Sequence, residues 1–204
     1  MISKLNSLWR RVLYGQPVIV VSGLPRSGTS MAMKMLEAGG VSVVTDGART
    51  ADEDNPKGYY EDDRVLELAK VDDKSWLRDA RGHAVKIISY LLRHLPEDNN
   101  YRVVFMRREI TEVLASQTKM LERRGEEQGA EDDSMREFFE TDLWKANYHI
   151  KRSSHISVLD VHYRKVLEDP VNHAEMIAEF VGLEMDIEAM VSIVDPDLYR
   201  NRAD

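Results

Sequence analysis

Hydrophobic positions along this chain switch between a strand period and a helix period, and the switches delimit its elements. Val18-Ile19-Val20-Val21 is an unbroken β-branched run, the pattern of a strand buried on both faces. A turn from Ser22 to Gly28 leads into a segment whose Met31, Met35 and Leu36 recur at helical spacing. Gly39-Gly40 stops that helix, and residues 41–45 predict a second strand. Residues 46–58 are polar and turn-rich, hence a loop. Residues 59–70 read as a helix through Val65, Leu66 and Leu68.

Three more strands are expected at 84–88, 102–107 and 156–161, with a helical turn before Pro96. Residues 109–124 predict a helix with Glu109 and Glu112 early, Arg123 and Arg124 late, and Gly125 after it, the charge order a helix dipole favours. The acidic stretch 126–133 reads as a solvated loop. A long helix over 134–153 should bury Met135, Phe138, Phe139, Leu143, Ala146 and Ile150. A helix at 171–181 ends at Gly182, a short one follows at 187–194, and 195–204 form a tail. Strands alternating with helices imply an α/β class: one three-layer domain with a mainly parallel five-stranded sheet flanked by helices. Ligands of such sheets sit at the carboxyl ends of the strands.

The 204 residues suit a single domain over 1–204, and no apolar run approaches the roughly 20 residues of a membrane span. The first 15 residues are amphipathic, with Ile2, Leu5, Leu8, Trp9, Val12 and Leu13 at helical spacing. They are expected to pack on the domain; lying on a membrane surface or a partner is the alternative. With no cysteine, disulfides and thiolate chemistry are excluded, which fits a cytoplasmic protein. Six histidines without a helical i, i+4 pair give a metal site little support. A net charge of −8 argues against a nucleic-acid partner, so an anion site must be a local concentration of arginine.

The best candidate is the first turn. A buried strand, a glycine-bounded loop and a helix start make a cradle in which backbone N–H groups converge on phosphate. Gly23 and Gly28 have the spacing of Gly-x-x-x-x-Gly-Lys-Ser/Thr, and Ser30 fills the hydroxyl position. Thr29, however, stands where a nucleotide triphosphatase places its lysine, and the cation comes earlier, at Arg26. Pro25-Arg26-Ser27-Gly28-Thr29-Ser30 resembles the 5′-phosphosulfate loop of sulfotransferases that use 3′-phosphoadenosine 5′-phosphosulfate (PAPS), a P-loop-type fold. The same family carries an arginine at a strand end and a serine eight residues later, together gripping the 3′-phosphate. Arg108 and Ser116 reproduce that spacing, with Ile110 replacing the family's proline.

The resemblance further implies that Tyr163, in the segment 159–170, lies near the adenine. It offers Tyr199-Arg200-Asn201-Arg202 in place of a C-terminal basic motif that this chain lacks. It implies PAPS as co-substrate, no metal, and a small-molecule or glycan acceptor presenting a hydroxyl or amine; a homodimer stays open. Where cytosolic members place a basic histidine after Lys-Thr, this chain reads Lys86-Ile87-Ile88. Glu61, in the segment 55–61, is therefore the candidate base, with Lys57 or Lys86 steadying the transferred oxygens and Arg26 and Thr29 steadying the departing 5′-phosphate. Asp46, Glu53 and Asp54 are poorer rivals. Acceptor specificity is expected from the loops 46–62 and 125–134. Two other functions stay open: a P-loop kinase, with Asp160 at a strand end as the magnesium ligand, and a nucleotide-binding module without turnover.

Overall fold

The computed structural model describes residues 9–46, 60–125 and 132–195. Its middle strand is β1 (Val18–Gly23), buried at every position. Parallel neighbours flank it: β3 (Ala84–Lys86) on one side and β4 (Tyr101–Arg107) on the other. β2 (Val43–Val44) extends the sheet past β3, and β5 (Ile156–His162) past β4, giving a parallel order β2-β3-β1-β4-β5. A central strand covered on both faces has no solvent side, so it is apolar throughout. The edge strand β5 buries Ile156 and Val161 and turns Ser157 and Val158 to water.

Side chains of β1 alternate between two layers, as the pleat requires. Val18 and Val20, with Val85, Val103 and Phe105, pack under Leu91 and Leu92 of a 3-10 turn (Ser89–His94) and Ala146 and Ile150 of α6 (Asp132–Arg152). Ile19 and Val21, with Ala84, Val104 and Met106, face α2 (Thr29–Ala38) and α8 (Pro170–Val181) through Met33, Leu36, Ala174 and Ile177. This is the expected three-layer α/β arrangement.

The remaining elements are short or lie on the flanks. They are α1 (residues 9–14), α3 (Asp63–Leu66), α4 (Trp76–Asp79), α5 (Ile110–Arg124), α7 (Tyr163–Glu168) and α9 (Ile187–Ser192). The sequence pattern did not reveal α4 and α7, each under two turns long.

Several expectations are corrected. The helix expected from residue 59 begins at Asp63, because Asp62 caps it by accepting a bond from the Arg64 N–H. It passes into a 3-10 turn at Glu67, and Leu66 is exposed. Phe138 leaves the buried stripe of α6 at 60% exposure. Its neighbour Phe139 fills the seam against Leu24, Val113 and Leu114, and adjacent residues stand about 100° apart on a helix.

The first helix also differs. α1 docks through Arg10, whose Nε donates to Asn100 Oδ1 at 2.9 Å and whose Nη2 donates to the Asn99 carbonyl. Trp9, Val12 and Leu13 point outward, so its apolar side is not what packs on the domain. Ile2, Leu5 and Leu8 lie outside the described residues, as do Glu53, Asp54, Lys57, residues 126–131 and the basic tail after Asp195.

At the amino ends of the strands, His155 is 5% exposed, with its ring edge-on to Tyr101 at 5.9 Å and near His149. Among the described residues its Nε2 has no hydrogen-bond partner. Burial lowers the pKa of His155, of His149 and of neighbouring His94 below the ordinary value of 6.5. The folded chain thus holds these rings neutral, while the unfolded chain protonates them near 6.5. Stability is complete above that value and is lost as pH falls through it. The thermal midpoint should hold above roughly pH 7 and drop progressively as pH falls below about 6.5, and His155→Phe should flatten the drop. Equal slopes in both proteins would remove His155 from this behaviour.

Candidate active site

The loop from Gly23 to Gly28 is held by contacts that leave no room for other residues. Gly23 has φ +147°, and a Cβ there would lie 2.5 Å from Ser27 Oγ and 2.7 Å from the Met106 carbonyl oxygen. Gly28 has φ +98°, and its Cβ would meet Tyr163 Cδ2 at 2.5 Å. The Ser27 hydroxyl donates to the Leu24 carbonyl at 2.7 Å, so this buried side chain closes the loop on itself. Leu24 wedges between α5 and α6 against Val113, Leu114 and Phe139. Arg26 adopts the left-handed region at φ +66°, uncommon for a residue with a side chain and frequent where backbone geometry serves a ligand. Pro25 precedes it, and Thr29 and Ser30 open α2 immediately beyond, Thr29 being buried. The loop thus runs from the end of β1 directly into the start of α2.

The arginine at the end of β4 meets this loop directly. The register that pairs Gly23 with Met106 sets Arg107 and Arg108 beside the loop. Arg108 Nη1 donates to the Arg26 carbonyl at 3.1 Å, and Arg108 Nε donates to Glu112 Oε2 at 2.9 Å. Its guanidinium lies 4.7 Å from the centroid of the Tyr163 ring. Ser116 Oγ accepts from Arg26 Nε at 3.1 Å. The structure thus brings Arg26, Gly28, Arg108, Ser116 and Tyr163 together from four separate elements. Burial raises the pKa of the Tyr163 hydroxyl, and the Arg108 cation pulls against that rise.

Arg107 turns elsewhere. Its Nε lies 2.6 Å from Asp160 Oδ1, its Nη2 donates to Asn147, and its guanidinium covers the Phe105 ring. Asp160 is thereby paired on the outermost strand, two strands from β1. A magnesium-holding aspartate beside the loop hydroxyl would need a different place.

A second polar group lies at the end of β3. Lys86 Nζ is 3.6 Å from Glu61 Oε1, with Glu61 at the surface and Lys86 mostly covered. The Glu61 carbonyl accepts from Thr45 Oγ1 at 2.9 Å and from the Asp46 N–H at 3.2 Å. Tyr60 precedes it in the left-handed region at φ +54°, and its hydroxyl donates to Glu37 on α2 at 2.5 Å. Burial and the Glu37 carboxylate hold that phenol far above its ordinary range. Asp46 accepts from the Asp63 N–H at 2.8 Å at the start of α3.

Two buried carboxylates escaped the sequence reading. Glu112 entered the sequence pattern only as an early acid of the helix at 109–124, with nothing to mark its buried pairing with Arg108. Asp142 on α6 accepts from buried Ser89 just past β3, and burial raises its pKa. Nothing local marks a partner so distant in sequence. Among the described residues no cluster of histidine and carboxylate side chains is placed to hold a metal ion, and no helix is long and apolar enough to cross a membrane.

Comparison with known proteins adds three findings. A family model described as "Sulfotransferase family" matches residues 59–187, more than half of the chain. Two solved structures are similar at 14% identity over 90% of this chain. One is a sulfotransferase domain from the curacin biosynthetic pathway, 79% of which is covered at a TM-score of 0.48. The other is a sulfotransferase from Alicyclobacillus acidocaldarius, 88% of which is covered at a TM-score of 0.43. No curated protein matches.

The Gly28–Tyr163 contact is directly testable. Gly28→Ala combines a left-handed backbone with a clash against a buried ring, so it should destabilise the chain by at least about 1 kcal/mol. Shaving the ring with Tyr163→Leu should recover part of that loss in denaturant titrations. Strict additivity of the two changes would show that Gly28 and Tyr163 do not press on each other.

Proposed function

Because this chain belongs to the sulfotransferase family, we propose that it moves a sulfuryl group from PAPS to a hydroxyl or amine of a small-molecule or glycan acceptor. The observation carrying this reading is the Arg26–Ser116 hydrogen bond alongside the Arg108–Arg26 contact. A loop fit for a 5′-phosphate and an arginine–serine pair fit for a second phosphate adjoin, which suits a nucleoside bisphosphate better than a triphosphate chain. The glycine loop supports this reading: Gly23 and Gly28 let it pack against Met106 and Tyr163 and enter the start of α2, where backbone N–H groups favour an anion.

Bound PAPS supplies a sulfur electrophile whose bond to the 5′-phosphate oxygen breaks as the acceptor attacks. The backbone of residues 23–30, with Arg26 and Thr29, would steady the negative charge that gathers on that phosphate. Arg108 and Ser116 would hold the 3′-phosphate, one as a planar fork and one as a hydroxyl. Tyr163 would floor this pocket, since its ring already supports Arg108 and Gly28. Glu61 would take the acceptor proton, and Lys86 would turn toward the transferred oxygens. Lys57 would share that role from outside the described residues.

A second reading, a nucleotide-binding module without turnover, has one observation in its favour. Lys86 already engages the Glu61 carboxylate, so the group that should receive a proton is occupied.

Adenosine 3′,5′-bisphosphate at a hundred times its dissociation constant should stabilise the chain by about 2.7 kcal/mol, while ATP at that concentration does less. Equal or greater stabilisation by ATP would overturn the donor assignment. With labelled PAPS and an acceptor panel, Glu61→Gln should abolish transfer and leave bisphosphate binding intact. Unchanged turnover would remove Glu61 from the chemistry. Tight binding with no transfer by the unaltered chain would select the module.

A further inference from the structure

Glu112 belongs to neither the glycine loop nor the Arg108–Ser116 pair, yet it is only 4% exposed and forms an ion pair with Arg108, itself 8% exposed. A charged pair removed from water persists only with good geometry and further hydrogen bonds, which makes its orientation strict. The contacts that hold the Arg108 fork include one on its edge, one on its plane and one at its end. Its Nε meets Glu112 at 2.9 Å, its plane lies 4.7 Å from the Tyr163 ring centroid, and Nη1 reaches the Arg26 carbonyl at 3.1 Å. A guanidinium is rigid and planar, so fixing one edge and the plane fixes where the other edge points. Glu112 supplies the edge contact, one helical turn after Arg108.

We propose that Glu112 is the positioning residue for the 3′-phosphate. It sets the rotation of the Arg108 fork so that the opposite edge faces the loop at Arg26. This rests on the PAPS reading above. A carboxylate beside a dianion site also repels, so Glu112 acts here through geometry and not through added attraction.

The test compares titration calorimetry of adenosine 3′,5′-bisphosphate with that of 5′-AMP, because the ratio of the two affinities isolates the 3′-phosphate. The unaltered chain should favour the bisphosphate by about tenfold or more, each factor of ten being about 1.4 kcal/mol. Glu112→Ala should cut that ratio to about threefold or less and leave 5′-AMP binding nearly unchanged. Glu112→Gln keeps the length and an acceptor oxygen, so it should restore the ratio.

The proposal is overturned by a parallel loss of both ligands in the alanine variant, by an intact ratio there, or by a glutamine variant as impaired as alanine. Should Glu112→Ala fail to fold, Glu112→Asp keeps the charge but shortens the reach, and it must lose the ratio too; a retained ratio overturns the proposal. An unaltered chain that does not distinguish the two nucleotides fails the PAPS reading itself, a separate result.

Discussion

The close approach of β1 to β4 at Gly23 is the constraint on which the site depends. No side chain fits between Gly23 and the Met106 backbone, so the glycine loop leaves the sheet pressed against the strand that ends in Arg107-Arg108. Parallel pairing in this register then brings Arg108 within hydrogen-bonding distance of Arg26. The two arginines are 82 residues apart in sequence, and the ladder of β1 with β4 makes them neighbours. One residue of slip would exchange the faces of β4 and drive Arg107 and Arg108 to each other's places. The register and the Arg26–Arg108 contact are one specification.

The same end of the sheet shows how the chain accommodates charge near its core. Arg108 is matched by Glu112, Arg107 by Asp160 and Asn147, and Asp142 by the Ser89 hydroxyl. Each pair joins two separate elements except Arg108–Glu112, which is closed within a stretch of five residues. A buried charge without a partner is far more costly than the pair is favourable. The partners therefore act mainly by fixing orientation, and the apolar layers on either side of β1 carry the stability.

Much of this was legible in the residues because it is encoded locally. Central parallel strands are apolar runs, so the five strands and their α/β order stand out at 18–21, 41–45, 84–88, 102–107 and 156–161. Glycine spacing at 23 and 28 and the interval from Arg108 to Ser116 are local as well. What stayed hidden depends on tertiary partners. Helical periodicity could not decide which of Phe138 and Phe139 faces inward, since Leu24 and α5 make that choice. Nor could it show that Tyr60 leaves the helical region to reach Glu37, or that α1 would dock by Arg10 and not by its apolar side. Glu112 looked like an ordinary early acid on a helix until its burial was known.

The glycine loop and the Glu61 segment are held differently, and the difference follows from what surrounds them. Around the loop, Leu24 is wedged, Ser27 is fastened to Leu24, and two glycines meet backbone or ring at distances that forbid a methyl group. A loop held this way is already ordered, so for the proposed nucleotide little ordering would remain to oppose binding. Around Glu61, among the described residues, the contacts include its carbonyl gripped from Thr45 and Asp46, the Tyr60 phenol bonded to Glu37, and a half-exposed ion pair with Lys86. Contacts at the surface compete with water and rearrange easily. Under the proposed roles, a scaffold that holds one substrate by buried packing and meets the other with exposed polar contacts would be able to change its acceptor without disturbing its donor.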